Sequence, residues 1–402
     1  MSDTLCTPAL AAPSLDAPRA AWAAVFSLSF GVFGLVTAEF LPVSLLTPMA
    51  AELGVSNGAV GQAITATAVV AAFAGPLLVL FSGRLDRRAI VWALMALLVA
   101  SSVLSAFATN IAVLLVARAL LGFALGGFWA MMTALALRLV PSPDVPRAMS
   151  IIVMGVSVAT VFAAPLGAFL GELWGWRATF LAAAGLGIAS LLVQLVVLPP
   201  LPSAGAPTLA SFKAALSRRA VLIGFATVLI VVSGHFAGFT FIRPYLESVP
   251  QLEVSTISLA LLAFGLGGFL GNLAAGAIAA RSPAVAAGAA SLLIGAAALI
   301  LVLYGASPEV AFMATALWGF AFGGFPVAAS IWNARAAPEL AEPSGALLSS
   351  SFQVAIASGA VVGGLLIDGV GPLGVIVYAA VAVVLGAAVM LVLGRAVERA
   401  RS

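Results

Sequence analysis

The chain has 402 residues, of which 63% are hydrophobic and only 8% charged, with a net charge of +3 and a mean hydropathy of +1.22. An ordinary soluble domain is roughly half apolar and about a quarter charged, so a water-soluble fold is excluded. The pI near 9.6 is then better explained by charge sidedness across a membrane than by a nucleic-acid surface.

Residues 1–21 are polar and rich in Pro and Ala, without the basic start and short apolar core of a signal peptide. They are expected to form a cytoplasmic tail. Cys6, the single cysteine, lies in that tail, so no disulfide or thiolate metal site can be built. A helix needs about 20 mostly apolar residues to cross the hydrocarbon. Twelve such runs follow, at 22–46, 59–81, 89–108, 111–139, 148–170, 178–198, 220–242, 256–280, 284–304, 310–333, 345–367 and 371–394. Open sheet cannot face lipid, because each unpaired backbone group there costs several kcal/mol. The expected fold is therefore all-α and integral to the membrane, with twelve transmembrane helices in two pseudo-symmetric six-helix bundles.

The first run, from Trp22 to Leu46, is too long for a signal-peptide core and is kept as span 1. With the N-terminus inside, Arg84, Arg87, Arg88, Arg138, Arg147, Lys213, Arg218, Arg219, Arg281 and Arg335 all fall on the cytoplasmic side, and only Arg177 and Arg243 fall outside. That lopsidedness follows the positive-inside rule and also checks the helix count. It places both termini in the cytoplasm. The longest polar interruption, PPLPSAGAPTLASFKAALSRRA, divides six spans from six. The bundles are expected at 22–198 and 220–394, joined by a linker at 199–219, with a second tail at 395–402. GFALGGF at 122–128 recurs as GFAFGGF at 319–325, in the fourth span of each half. Parallel repeats of this kind are a transporter architecture, with the solute site between the halves near mid-membrane.

Some chemistry is missing. The single lysine, Lys213, follows no Gly-rich turn, so a phosphate-cradling nucleotide loop is ruled out. One His, one Cys and few intramembrane acids leave too few ligands for metal catalysis. The chain is expected to be no enzyme and to need no cofactor or metal, and uphill transport would draw on an ion gradient.

Away from the span ends, three ionisable groups remain in the membrane: Glu39 in span 1, Arg118 in span 4 and His235 in span 7. A charge at mid-bilayer costs about 2.5–3.5 kcal/mol, so such groups usually face a polar cavity on a transport path. Glu39 and Arg118 fall at similar depth in the N-terminal bundle. As a pair they offer a proton switch, since burial disfavours the carboxylate's charge and the neighbouring cation favours it. The alternative is a fixed buried pair joining spans 1 and 4. Arg118, Gly122, Gly126 and Trp129 share one helix face, by spacings of four, four and three. The glycines suit close helix packing. Trp129 suits either packing or stacking on a solute. His235, with Phe239 a turn on, is either a hydrogen-bonded core residue or part of a cavity lining. Gln62, Asn272 and Gln353 are the remaining amides that can reach a polar solute or bridge helices.

LLVARALLGFALGG (114–127) and GVSVATVFAAPLGAFLG (155–171) resemble motifs of the major facilitator superfamily, in its drug:proton antiporter branch. The first carries Arg118 four residues before Gly122. The second carries Gly155, Pro165 and Gly167 of the helix-5 antiporter motif, with Ala164 where a second Gly is common. The loop SGRLDRR (82–88) is similar to the superfamily's cytoplasmic gate pattern, which assigns Arg84, Asp86, Arg87 and Arg88 to that gate. Gly83 stands there in place of the family's Asp, and Asp86 in place of its second Gly, so gating in the usual form is not expected. EFLPVSLLTPMA (39–50), ALGGFWAM (124–131), APLGAFLGELWGWR (164–177) and FTFIRP (239–244) resemble the branch's bacterial nucleoside exporters, and less closely its sugar efflux transporters. The resemblance implies proton-coupled export of purine ribonucleosides by alternating access, by a monomer in a bacterial inner membrane whose partners are a small-molecule substrate, protons and the lipid bilayer. Multidrug or sugar efflux is the alternative, and import a weaker one. His235 stands where the nucleoside exporters are expected to carry Gln, which bears on the substrate.

Overall fold

The computed structural model describes residues 21–81, 85–141, 144–202 and 209–400, and among them the long elements are all helices and no strand occurs. The first four are α1 (Trp22–Leu53), α2 (Asn57–Phe81), α3 (Arg87–Ala106) and α4 (Ile111–Leu139). The next helical stretch, Val145–Val197, is broken at Gly175, whose φ of 80° and ψ of 159° suit only glycine. It therefore counts as two helices, α5 (145–174) and α6 (176–197). Beyond a short helix at Leu209–Leu216 come α7 (Arg219–Thr240), α8 (Val254–Arg281), α9 (Pro283–Tyr304), α10 (Pro308–Ala336), α11 (Ala341–Val370) and α12 (Pro372–Val389). Twelve long apolar helices among the described residues match the expected count.

Local chemistry sets the ends. Asn110, Ser282 and Ser307 each accept a hydrogen bond from the backbone N–H three residues on, starting α4, α9 and α10. Prolines 283, 308 and 372 occupy first turns, where a missing N–H costs nothing. α1 outlasts its expected end and closes at Gly54 in a left-handed conformation (φ 64°). The expected linker at 199–219 contains the helix Leu209–Leu216, and the expected tail from 395 stays helical to Arg399. The carboxylate of Glu398 accepts from Ser282 Oγ (2.6 Å) and Ala284 N (3.0 Å), which fixes that end to α9. Of the N-terminal tail only Ala21 lies within the described residues.

The two halves repeat one packing plan. α1 packs on α5 and α6, α2 on α4, and α3 on α4 and α6; correspondingly α7 packs on α11 and α12, α8 on α10, and α9 on α10 and α12. The closest approaches repeat too. Gly122 meets the carbonyl of Thr67 as Gly319 meets that of Phe264, and Gly155 meets the carbonyl of Ser29 as Gly359 meets that of Ser233. Without a hydrophobic drive inside lipid, such close backbone contacts supply the packing energy. A Cβ on Gly155 would overlap the Ser29 oxygen. Gly155→Val is therefore expected to cost at least about 1–3 kcal/mol and to lower the thermal midpoint of the purified protein; an unchanged midpoint would refute this packing account.

The halves meet along α2 with α11 and α5 with α8. One face of the bundle carries the start of α1, the helix Leu209–Leu216 and the end at Arg399; it is termed the terminal face, and its opposite the far face. Buried clusters that join the halves lie from mid-depth to the far face, where Leu41, Leu45 and Val60 pack with Ala237, Phe241 and Ile367. Toward the terminal face, the N-terminal half has a core of its own around Leu28, Leu94, Leu135 and Leu198.

Candidate functional site

Proline chemistry explains where the buried arginines sit. Pro42 lies inside α1 and has no N–H, so the carbonyl of Ala38 loses its helical partner. Arg118, 1% exposed on α4, donates to that carbonyl through Nη1 (2.8 Å) and to the carbonyl of Glu39 through Nη2 (3.2 Å). Pro48 orphans the carbonyl of Ser44 in the same way, and Nη1 of Arg243 donates to it from the other half. The structure thus brings Arg118 to the turn that carries Glu39, but as a donor to backbone. The two charges are neighbours without direct contact: among the described residues the Glu39 carboxylate makes no salt bridge and no hydrogen bond, and it is half-buried.

Next to Glu39, Phe40 touches Phe239 of α7 edge-on, with ring centroids 6.1 Å apart, and so joins the halves. Phe239 opens a cluster around His235. The imidazole is 1% exposed and stacks on Phe322 at 3.4 Å, and the rings of Phe239 and Phe264 lie within 14° and 22° of its plane. Trp318 Nε1 donates to His235 Nδ1 (2.9 Å), and Nε2 has no partner among the described residues. These rings lie in contact with one another and, Phe322 apart, almost fully buried, so a flat solute stacks among them only when one ring moves aside.

The other expected lining residues are spread more widely. Trp129 packs, partly buried, against the core of the N-terminal half. Gln62 donates to Gly58 O in its own helix (3.3 Å) and lies beside Gly364 on the α2–α11 seam. Gln353 is buried on α11 with Oε1 unpartnered among the described residues, and Asn272 is half-buried on α8. Of the antiporter motif, Gly155 packs on Ser29, Gly167 packs on the Ser44 side chain, and Pro165 is buried between them in sequence. Arg84 lies outside the described residues. Asp86 caps α3 by accepting from Arg88 N (2.8 Å), and it also accepts from Leu201 N (3.0 Å), while Arg87 N donates to Leu201 O (2.9 Å). The Arg88 guanidinium lies over Trp92, 4.6 Å from the ring centroid. These described members of the expected gate hold the connection between the halves.

Sequence reasoning missed Phe264, Trp318 and Phe322, and it missed a set of ties at the far face. Arg243, expected outside the membrane, is 6% exposed and pairs with Glu247 (2.7 Å), which also accepts from Thr47 Oγ1 of the other half (2.6 Å). Asp368 of α11 accepts from Ser56 Oγ (2.6 Å) and Gly58 N (3.1 Å) at the start of α2. Arg243 and Glu247 stand four apart, and two prolines stand in the first span; together these were the available signals.

The pattern described as Major Facilitator Superfamily matches residues 28–345. The chain belongs to that superfamily. Purine ribonucleoside efflux pump NepI of Salmonella paratyphi B is 41% identical over 355 residues, 88% of this chain and 89% of that one. The pump of the same name from Shigella sonnei is 41% identical over 353 residues, with the same coverage. Among solved structures, an inward-facing, occupied bacterial homolog of the human lysosomal transporter Spinster superposes with a TM-score of 0.74 at 17% identity, covering 92% of this chain and 96% of that one. The human organic anion transporter MFSD10 superposes at 0.66 with 18% identity, covering 92% and 100%. These likenesses confirm the fold. As a superfamily member the chain is a multi-pass membrane transporter of small solutes and not an enzyme.

Proposed function

We propose that the chain exports purine ribonucleosides in exchange for protons, by alternating access of a mid-membrane site to the two faces. The observation that carries this reading is the 41% identity, across 88% of the chain, to proteins named purine ribonucleoside efflux pumps. Physical support comes from the ring stack around His235, whose parallel aromatic planes suit a flat base. Glu39 is the proposed proton carrier: a half-buried carboxyl at the seam between halves, one residue from the Phe40–Phe239 contact. Arg118 serves by holding α1 at its proline while keeping a positive charge near that carboxyl. Trp129, Gln62, Asn272 and Gln353 are retained as residues reached by the solute along its path.

The terminal face is assigned to the cytoplasm of a bacterium, with both termini there, because Arg88, Arg138, Arg147, Arg218, Arg281 and Arg335 cluster toward it. The ties between halves at the far face then describe a state closed to the outside. The transporter is expected to work as a monomer, since each pair of bundles frames one site. Export of flat drugs is the second reading, favoured by the almost wholly aromatic character of the stack.

Inside-out vesicles loaded with the protein test the proposal. An imposed gradient, acidic inside, is expected to drive uptake of labelled inosine or guanosine above that of sugars and cationic drugs. Drug uptake without nucleoside uptake would favour the second reading, and uptake that ignores the proton gradient would defeat proton exchange.

A further inference from the structure

Indole Nε1 can only donate, so the bond from Trp318 requires a lone pair on His235 Nδ1. In the neutral ring the proton then sits on Nε2, and its outward direction lies in the imidazole plane. That N–H is buried with no acceptor among the described residues, an arrangement native structures rarely leave without a purpose. Phe239, Phe264 and Phe322 lie within 14°, 22° and 5° of the same plane. A flat ring placed in the imidazole plane beside His235 would lie nearly parallel to these phenyl rings, with its edge against Nε2–H. Phe322, the half-exposed member of the stack, covers the face of the imidazole and not its Nε2 edge.

From this geometry we propose that His235 is a specificity-determining residue, donating through Nε2 to a ring-nitrogen acceptor on the edge of a planar heteroaromatic solute. The proposal rests on nucleosides being the solute and adds to that reading the atom that recognises the base. It also gives the histidine a reason to stand in an otherwise aromatic stack: a phenyl ring there would pack as well and recognise nothing. Trp318 acts through His235, as the positioning residue that fixes its tautomer.

The test is a cycle between a protein atom and a solute atom. Transport of inosine is measured beside deaza analogues in which one ring nitrogen at a time is replaced by CH, in wild type, His235→Phe and His235→Gln. In wild type one analogue is expected to show a KM about tenfold or more above that of the parent, the scale set by leaving a buried donor unpaired. In His235→Phe parent and analogue are expected to converge, while His235→Gln, which keeps a side-chain N–H donor, retains part of the difference. A purely structural histidine would shift every solute alike. The proposal is overturned if wild type ignores every ring-nitrogen replacement, or if the difference survives in His235→Phe. Where neither variant folds, Trp318→Phe, which releases the Nδ1 contact that sets the tautomer, is expected to shrink the same difference, and an undiminished difference overturns the proposal. If wild type carries no nucleoside at all, the functional reading fails first and the recognition role falls with it; if nucleosides move but no ring nitrogen matters, only the recognition role fails.

Discussion

Glu39→Gln is expected to abolish accumulation driven by the proton gradient while leaving solute exchange intact. Gln matches Glu in size but cannot bind and release a proton, and coupling needs proton and solute to differ in affinity for the two states. Coupling free energies of about 1–3 kcal/mol correspond to factors of about 5 to 150, so gradient-driven uptake should fall by at least about tenfold. The fold should tolerate the change. Arg118 is held by the carbonyls of Ala38 and Glu39, which the substitution keeps, and the carboxylate supports no hydrogen bond among the described residues. Counterflow, in which unlabelled solute on one side drives labelled solute inward, isolates exchange from proton movement. Gradient-driven uptake that persists in the variant would remove Glu39 from the coupling role, and loss of counterflow as well would assign it to solute binding or folding.

Hydropathy made the helices legible because lipid imposes one requirement everywhere: about 20 apolar residues with every backbone group satisfied internally. Charge sidedness and the GFALGGF and GFAFGGF repeat then set the two halves, and the structure repeats their packing at Gly122 and Gly319. Helix ends were less legible. The extension of α1 to Leu53 depends on how Gly54 terminates a helix, whereas the break between α5 and α6 was expected between 170 and 178 and only its place, Gly175 at φ 80°, was not. The site was legible as residue types and not as partnerships. Glu39, Arg118 and His235 stood out because ionisable groups are costly in lipid. That Arg118 would bind the carbonyl orphaned by Pro42, and Arg243 the one orphaned by Pro48, required knowing which helices face one another. Trp318 and Phe322 were hidden among apolar residues of the same helix, where composition marks burial but not contact.

Arg243→Ala is expected to open the far face. In the structure this guanidinium binds the Ser44 carbonyl of the other half and holds Glu247, which in turn takes the Thr47 hydroxyl. Truncation leaves an orphaned carbonyl and a carboxylate without its cation, and losing one partner of a buried, hydrogen-bonded charge pair costs about 2–5 kcal/mol. Moving a two-state equilibrium from 1:99 to 99:1 takes about 5.5 kcal/mol, so the loss is large enough to reverse a modest preference for the closed far face. Spin labels at Ala51 and Val370, exposed at the far ends of α1 and α11, read the separation of the halves once Cys6 is replaced by Ser. The distance distribution in Arg243→Ala should move to longer values, with Arg243→Lys between it and wild type, because an ammonium can reach one acceptor but not bridge both. Thr47→Val, which removes one hydroxyl from the same tie, should shift the distribution in the same direction by less. An unchanged distribution in all three variants would mean that the apolar contacts around Phe241 close the far face by themselves.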